Sequence, residues 1–326
     1  IAIWALMTYT GLLVLEVNTS AAPNTDNFSS MAQNTAGPIA RSLAWICIIC
    51  LLSSLTWAYI SGGASLLGPL MSSALERLNF PTLTAMQDQL IGATLFTSLL
   101  GFTLWHSTAA VDAVNRSFIS LKMILLIVCM SLLLPHIHTD FLRSSPQTLA
   151  IGLGLAPIFL ASFGYHTVIP SLTQYHNDAQ KLRKSIIIGT SVPLALYLLW
   201  LICTLGLVPI TGHLSFESLA HSGNTVGQFT QVLISLTKNR WIDYSITAFT
   251  NIALVTSFLG VTLGLFDFIA SVFHIPNTKL GRLKTTALTL GPPLLLFFFL
   301  PNGFLLALKC AALFVVLLEV ILSFKN

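Results

Sequence analysis

The 326-residue chain is 55% hydrophobic and only 8% charged, with a mean hydropathy of +0.83 and a formal net charge of +4. Soluble domains carry about a quarter charged residues, so this composition excludes a soluble globular protein. The apolar residues come in long runs rather than in short alternating segments, which excludes a transmembrane β-barrel. The sequence therefore predicts an all-α integral membrane protein.

A membrane-spanning helix needs roughly 20 apolar residues. Nine stretches meet this need, and we predict spans at 1–17, 42–67, 90–110, 117–134, 148–175, 185–210, 242–274, 285–300 and 303–324. The connector 211–241 is long enough to hold a short helix at 228–236, and Pro301-Asn302-Gly303 is a tight-turn signal. Because the first run lacks the basic flank and cleavage site of a signal peptide, we expect a fragment that begins inside or just before a membrane helix.

The distribution of lysine and arginine predicts the orientation, because cytoplasmic connectors are enriched in both residues. Ten of the 15 lie on the side reached after the first span and four on the other side, with Lys309 inside the last span. This assignment places Lys122 at the cytoplasmic end of its helix. It predicts that the connector 176–184 is cytoplasmic and that 211–241 is outside. It also implies one further helix before Ile1 in a complete protein.

The segment 148–175 interrupts its own apolar pattern. It is apolar up to Ala161 and continues as SFGYHTVIP, from Ser162 to Pro170. Glycine and proline weaken a continuous helix, and lipid cannot satisfy the backbone groups that a break frees. Two interpretations remain open: a broken helix that forms a substrate site, or a proline-kinked helix with a core histidine. In the first case, we expect a special backbone conformation at Gly164 that leucine would oppose.

Ionisable residues in apolar segments are functional candidates by default, although charges near helix ends also reach the polar interface harmlessly. We favour the harmless interpretation for Glu16 and Glu319, and Lys309 can do the same. Asp267 is deeper and has a short side chain, and for it a functional role and a structural polar contact remain equally open. The five cysteines lie in apolar runs and are interpreted as buried thiols. No metal, cofactor, catalytic residue or nucleic-acid partner is predicted.

Two predicted helices carry polar faces with small residues. Tyr59 stands beside Gly62 and Gly63, and Thr256 and Ser257 stand before Gly260 and Gly264. Small residues at this spacing first of all indicate close helix packing. The hydroxyl groups of Tyr59, Thr256 and Ser257 could in addition serve a ligand.

Several stretches in this order resemble the bacterial aromatic amino acid permeases, and among them those specific for tyrosine. IAIWALMTYTGLLVLEV resembles the family's second helix, AYISGGASLL the third, STAAVDAVNRSFISLK the inner loop between the fourth and fifth, and ASFGYHTVIPSL the broken sixth. KLRKSIIIGTSVPLALYLLW runs into the seventh helix, and VTSFLGVTLGLFDFIAS resembles the eighth. The resemblance covers nearly the whole chain.

The resemblance implies an inverted-repeat amino acid transporter fold of five plus five helices, here without the family's first helix and with at least one helix missing after Asn326. It implies proton-driven import of an aromatic amino acid, tyrosine first of all, across a bacterial inner membrane. The implied substrate-binding residues are Tyr59, Ser162, Phe163, Gly164, Tyr165, His166, Thr256 and Ser257. The proton-coupling candidates are Asp267 and His166.

The implied partners are the aromatic substrate, the proton and the lipid bilayer. We expect the helix end around 165–168 to offer free backbone N–H groups to the substrate carboxylate, and carbonyls near Ser162 and Phe163 to accept from its ammonium. A tryptophan or broader aromatic permease is the first alternative. A channel or ion-conducting subunit is the alternative of another class, but no charged ring or carbonyl filter is visible. An intramembrane enzyme would need a partner for His166 that the sequence does not show.

Overall fold

The computed structural model describes residues 1–20, 37–79, 83–143, 156, 158–169, 172–173, 178–221 and 226–323. All regular structure in these ranges is helical. The α-helices are α1 Ala2–Ser20, α2 Pro38–Arg77, α3 Ala85–His106, α4 Thr108–Leu133, α5 Thr139–Arg143, α6 Ala179–Leu207, α7 Phe216–His221, α8 Val226–Thr237, α9 Arg240–Val272, α10 Lys279–Phe299 and α11 Phe304–Ser323. Two 3₁₀ turns cover Leu134–His136 and His166–Val168. Most of the connector 18–41, the start of the predicted span 148–175 and Pro170 lie outside the described residues.

Five of these helices contain stretches long and apolar enough to cross a membrane. They are Ala2–Thr19, Arg41–Arg77, Val111–His136, Ala179–Leu207 and Arg240–Val272. The helices α3, α10 and α11 coincide with three further predicted spans. An all-α multi-pass membrane protein is thereby confirmed, and the count of nine spans stays a prediction.

Polar side chains explain where several helices begin. The side chains of Thr84, Asp178, Asn239 and Thr278 each accept a hydrogen bond from the first turn of α3, α6, α9 and α10. Such caps satisfy N–H groups that have no helical partner. At Asp178, the backbone N–H of Lys181 is the main cause that holds the pKa of the carboxyl group below its usual value.

The helix α4 begins earlier than the sequence predicts. The stretch 107–122, which the resemblance places in an inner loop, is helical from Thr108 onwards. Asp112 and Arg116 form an ion pair one turn apart, a spacing that supports a helix. The predicted loop is therefore wrong. Lys122 lies inside the stretch Val111–His136, which is long and apolar enough to cross a membrane.

The chain forms two compact units. The first comprises Ile1–Leu51, Pro146–Leu199 and Leu308–Asn326, and the second comprises Leu52–Ser145 and Trp200–Ala307. At the centre of the second unit, α9 packs against α3, α4, α8 and α10. The assignment of the whole chain to one domain stays a prediction.

Glycines of α2 let neighbouring helices of the second unit approach closely. A Cβ added to Gly63 would lie 2.6 Å from the Phe96 ring on α3, and one added to Gly62 would lie 2.8 Å from Leu254 on α9. The packing role predicted for both glycines is confirmed. On α9 itself, no atom lies within 4 Å of a Cβ added to Gly264. That glycine does not serve packing among the described residues.

The predicted short helix at 228–236 is confirmed as α8, which contacts α2. The backbone N–H of Gly227 donates to Ser65 Oγ at 3.2 Å. A Cβ on Gly227 would lie 2.6 Å from the Ser65 carbonyl oxygen, so only glycine allows this approach. The predicted turn at 301–303 also joins α10 to α11, and the Ser61 hydroxyl donates to the Pro301 carbonyl at 3.1 Å.

The predicted orientation can be tested by cysteine labelling. In a cysteine-free version of the protein, we expect His213→Cys to react with an impermeant thiol reagent in intact cells, because 211–241 is predicted outside. Gln180→Cys should react only after the cells are opened. Both positions are exposed. Labelling of Gln180→Cys in intact cells, without labelling of His213→Cys, would reverse the orientation.

Candidate functional site

The predicted break is present. The backbone is helical over 158–162, leaves the helix at Phe163 and resumes as the 3₁₀ turn His166–Val168. The N–H groups of Tyr165 and Val168 donate to the carbonyls of Phe163 and Tyr165, at 3.0 and 2.9 Å. These two groups are therefore not free for a carboxylate, and for the other backbone groups of 165–168 the prediction stays a prediction.

The first helix holds the break in place. The Tyr165 hydroxyl donates to the Met7 carbonyl at 3.2 Å. The Tyr165 side chain also packs directly against the backbone of Gly11, because a Cβ added to Gly11 would lie 2.2 Å from Oη. His166 is 4% exposed and stacks on Tyr165 at a centroid distance of 4.9 Å. Its Nε2 lies 2.8 Å from Thr10 Oγ1. Both residues that follow Gly164 thus contact one turn of α1.

The Thr10 hydroxyl has three neighbours that can accept or share its hydrogen. Oγ1 lies 3.1 Å from the carbonyl oxygens of Leu6 and Met7 and 2.8 Å from Nε2 of His166. Which atom donates in the Thr10–His166 hydrogen bond depends on the tautomer of the histidine. The histidine is bound into the packing of the first unit.

The helix α6 joins the same cluster through Thr190. Its Oγ1 accepts a hydrogen bond from Trp4 Nε1 at 3.2 Å and lies 3.3 Å from Thr8 Oγ1. Thr8 and Thr190 are both buried. Polar side chains of α1 therefore connect the break on one side and α6 on the other.

A cavity of about 510 Å³ lies beside the break within the first unit. Its aromatic walls are Phe163, Tyr165 and Tyr197, and the rings of Phe163 and Tyr197 meet edge-on at 5.6 Å. Ser162 and Gly164 also line it, and the described lining residues carry no charge. This volume falls within the roughly 300–1,000 Å³ of small-molecule sites. The absence of charge in this lining suits a neutral or zwitterionic ligand better than an ion.

Gly164 has an ordinary backbone conformation, and its distinguishing feature is the absence of a side chain. Among the described glycines, Gly37 and Gly212 have positive φ, and Gly164 does not. The special backbone conformation predicted for Gly164 is therefore wrong. A Cβ at this position would lie 3.2 Å from the Ala161 carbonyl oxygen, in the wall of the cavity. The same Cβ would lie 3.5 Å from Val315 on α11, so a large side chain would push against that helix and displace this wall.

The α6 wall contains a carbonyl group that the sequence analysis missed. Pro193 lies inside α6 and has no N–H, so the carbonyl of Gly189 lacks its helical donor. Gly189 and Pro193 both line the cavity. A proline four residues after a glycine in an apolar helix is the sequence signal that could have indicated this acceptor.

The remaining predicted substrate residues belong to the second unit. Tyr59 is half-buried on α2, Thr256 is buried on α9, and Ser257 is half-buried beside it. Thr256 Oγ1 accepts a hydrogen bond from Lys122 Nζ at 3.3 Å. The sequence analysis missed Lys122 because it placed the start of α4 too late. That all eight predicted residues serve one substrate stays a prediction.

Asp267 lies near one end of α9. It is five residues before Val272, on the exposed side of the helix and in electrostatic range of Arg282. Arg282 itself donates to the carbonyls of Leu104 and Trp105 at 2.5 and 2.7 Å, at the C-terminus of α3. In the described part of the chain, no three His, Cys, Asp or Glu side chains are placed to hold a metal ion.

Comparison with known proteins agrees with the resemblance. The tryptophan/tyrosine permease family matches residues 1–324. The tryptophan-specific transport protein of Pseudomonas aeruginosa is 34% identical over 315 residues, 95% of this chain and 73% of the relative. The tyrosine-specific transport system 2 of Haemophilus influenzae is 32% identical over 318 residues, 96% and 75% of the two chains. The low affinity tryptophan permease of Escherichia coli is 31% identical over 334 residues, 99% and 77%.

The contact between Tyr165 and Gly11 predicts a stability effect. Gly11→Ala should lower the free energy of unfolding by about 1–3 kcal/mol, because the added methyl group overlaps the Tyr165 hydroxyl and overpacking costs this much. The measurement is the denaturation midpoint of the purified protein in detergent. Gly291→Ala is the matched control, since its Cβ meets no atom within 4 Å on α10. An unchanged midpoint for Gly11→Ala would show that the Tyr165 side chain does not pack against Gly11.

Proposed function

Because the chain belongs to the tryptophan/tyrosine permease family, we propose that it imports an aromatic amino acid, tyrosine in the first place, in symport with protons. Its family and its apolar helices make it a multi-pass transport protein of a bacterial inner membrane and not an enzyme. The observation that carries the proposal is the cavity beside the broken helix of the first unit. Broken helices form the substrate sites of many secondary transporters.

The cavity offers complementary chemistry to each part of an aromatic amino acid. Phe163, Tyr165 and Tyr197 can contact the substrate ring by edge-to-face and offset stacking. The carbonyl of Gly189, which Pro193 leaves without a helical donor, can accept from the ammonium group. The carbonyl of Ser162 lies at a helix end and can do the same. A substrate bound here keeps its net charge of zero in an uncharged site.

Tyrosine is our first candidate, with tryptophan as the alternative. The cavity contains the hydroxyl groups of Ser185 and Tyr197, which can bond to a phenolic hydroxyl or to an indole N–H. The relatives include both tyrosine-specific and tryptophan-specific proteins. Competition between the two amino acids therefore decides the order of preference.

Proton symport supplies the driving force in this proposal. A zwitterion carries no net charge, so the membrane potential alone cannot concentrate it. A coupled proton adds both a charge and a concentration gradient. His166 and Asp267 remain the coupling residues that the resemblance implies. His166 is hydrogen-bonded to Thr10, and Asp267 lies in electrostatic range of Arg282.

Uptake into vesicles tests the proposed function. The full-length protein, reconstituted in lipid vesicles, should take up labelled tyrosine and concentrate it when the outside is more acidic. Without the gradient, we expect the inside and outside concentrations to become equal. Unlabelled tyrosine should inhibit more strongly than tryptophan, and the reverse order would assign tryptophan as the substrate. Absence of uptake for every aromatic amino acid would refute the proposal.

Gly164→Leu is the variant that links uptake to the cavity. Leucine at this position would push against Ala161 and Val315 and displace the cavity wall at Gly164, so we expect normal membrane insertion and loss of uptake. Gly291→Ala, on α10, serves again as the control and should transport normally. If Gly164→Leu transports at the rate of the unchanged protein, the cavity is not the substrate site.

A further inference from the structure

A second cavity lies between α1 and α6 in the first unit. Its volume is about 250 Å³, and its lining includes Glu16 of α1 and Arg183 of α6. We name it the Glu16 cavity, and it shares no lining residue with the cavity beside the break. Sites that enclose a whole small molecule measure roughly 300–1,000 Å³. The Glu16 cavity is smaller, so a ligand of that size enters it only in part.

The register of α1 and α6 places the two charged groups at nearly the same depth. Trp4 and Thr8, near the start of α1, contact Thr190 of α6. Glu16 follows Thr8 by eight residues along α1. Arg183 precedes Thr190 by seven residues along α6, so the two helices run antiparallel where they line the cavity. At 1.5 Å per residue, both charged residues lie roughly 10–12 Å from the Thr8–Thr190 contact.

The polarity of the Glu16 cavity changes along the axis of α1. Glu16 and Thr19 line it at the end of the apolar span Ala2–Thr19, where the polar interface of a membrane begins. Leu13 and Tyr9 line it further towards the middle of the span, and both side chains are exposed. Tyr9 is seven residues, or roughly 10 Å, deeper than Glu16. This arrangement suits a phospholipid, whose head group lies at the interface and whose acyl chain extends into the hydrocarbon region.

The two charges of the cavity distinguish between phospholipid head groups. The exposed guanidinium group of Arg183 can bind a phosphate through two parallel hydrogen bonds. The exposed carboxylate of Glu16 can accept hydrogen bonds from an ammonium group. Phosphatidylethanolamine carries a phosphate and a primary ammonium group, joined by an ethylene group. Phosphatidylglycerol has no cation for Glu16, and the quaternary ammonium group of phosphatidylcholine has no N–H to donate.

The wall of the Glu16 cavity belongs to the apolar core of the first unit. Leu15 lines the cavity and packs with Leu182 and Ile186 of α6 and with Ile169, which follows the break. A lipid in the cavity therefore packs directly against residues that hold α1, α6 and the break together. A ligand that binds only the folded state raises its stability.

We propose that the Glu16 cavity binds the head group of one phosphatidylethanolamine molecule. Its phosphate contacts Arg183, its ammonium group contacts Glu16, and one acyl chain lies along Leu13 and Tyr9. Pockets with basic side chains between membrane helices are known sites for lipid head groups. The binding is non-covalent and does not depend on the proposed transport function, because the substrate cavity lies elsewhere.

Thermal unfolding of the full-length protein in detergent tests the proposal. Added phosphatidylethanolamine should raise the unfolding temperature more than phosphatidylcholine or phosphatidylglycerol at the same concentration. Arg183→Ala should lose this rise, because the phosphate loses its partner. Glu16→Ala should reduce the rise to that produced by phosphatidylcholine, since the primary ammonium group then has no carboxylate to bind. The matched control is Lys184→Ala, which removes an exposed cation beside Arg183 that does not line the cavity and should keep the full rise.

The other outcomes overturn the proposal. Equal rises with the three lipids would show that the protein does not select a head group. A rise that survives in both Arg183→Ala and Glu16→Ala would place the lipid at another site. A loss of the rise in Lys184→Ala would indicate attraction to positive charge in general. A rise with free tyrosine or with phosphoethanolamine, lost in Arg183→Ala, would assign the cavity to a soluble ligand.

Cross-linking keeps the proposal testable if a variant is too unstable for unfolding measurements. The unchanged protein is placed in vesicles of equal parts phosphatidylethanolamine and phosphatidylglycerol, with a trace of phosphatidylethanolamine that carries a photoreactive group in one acyl chain. We expect the label on the α1 peptide that contains Tyr9 and Leu13. Additional phosphatidylethanolamine should reduce this labelling, and additional phosphatidylcholine should not. Labelling spread evenly over the lipid-exposed helices would overturn the proposed site.

Discussion

A helix that breaks inside an apolar segment must find partners for the backbone groups that it frees, because lipid provides none. In the first unit, the break turns back on itself, with the N–H groups of Gly164, Tyr165 and Val168 bonded to carbonyls nearby. Side chains then attach it to α1, where the Tyr165 hydroxyl reaches the Met7 carbonyl and His166 reaches Thr10. The cavity lies between this anchored break and α6.

The two units differ in the chemical character of their polar residues. The first has an uncharged, aromatic-walled cavity, which suits a zwitterion with an aromatic side chain. In the second, Lys122 donates a hydrogen bond to the Thr256 hydroxyl, and both residues lie in apolar helices. Substrate recognition in this account depends on aromatic contacts and freed carbonyls.

Long-range apolar pattern was enough to predict the membrane class, most helices and the break near Gly164. The first residues of the helices were harder to predict. They depend on single capping residues such as Thr84 and Asn239, which a search for apolar stretches does not detect. One error followed from this: the stretch 107–116 was predicted as a connector, although the chain is helical from Thr108 onwards. The Tyr165–Gly11 contact joins residues 154 positions apart, and no local pattern in the sequence indicates such a pair.

Protection of a cysteine in the cavity by substrate tests the central claim most directly. Gly189 lines the cavity and a Cβ there meets no atom within 4 Å, so Gly189→Cys in a cysteine-free, full-length protein should fold and react with a small maleimide. The account predicts that saturating tyrosine slows this reaction, whereas free glycine, which lacks the aromatic ring, does not. An equal rate of alkylation with and without tyrosine, in protein that transports tyrosine, would contradict the assignment of the cavity as the substrate site.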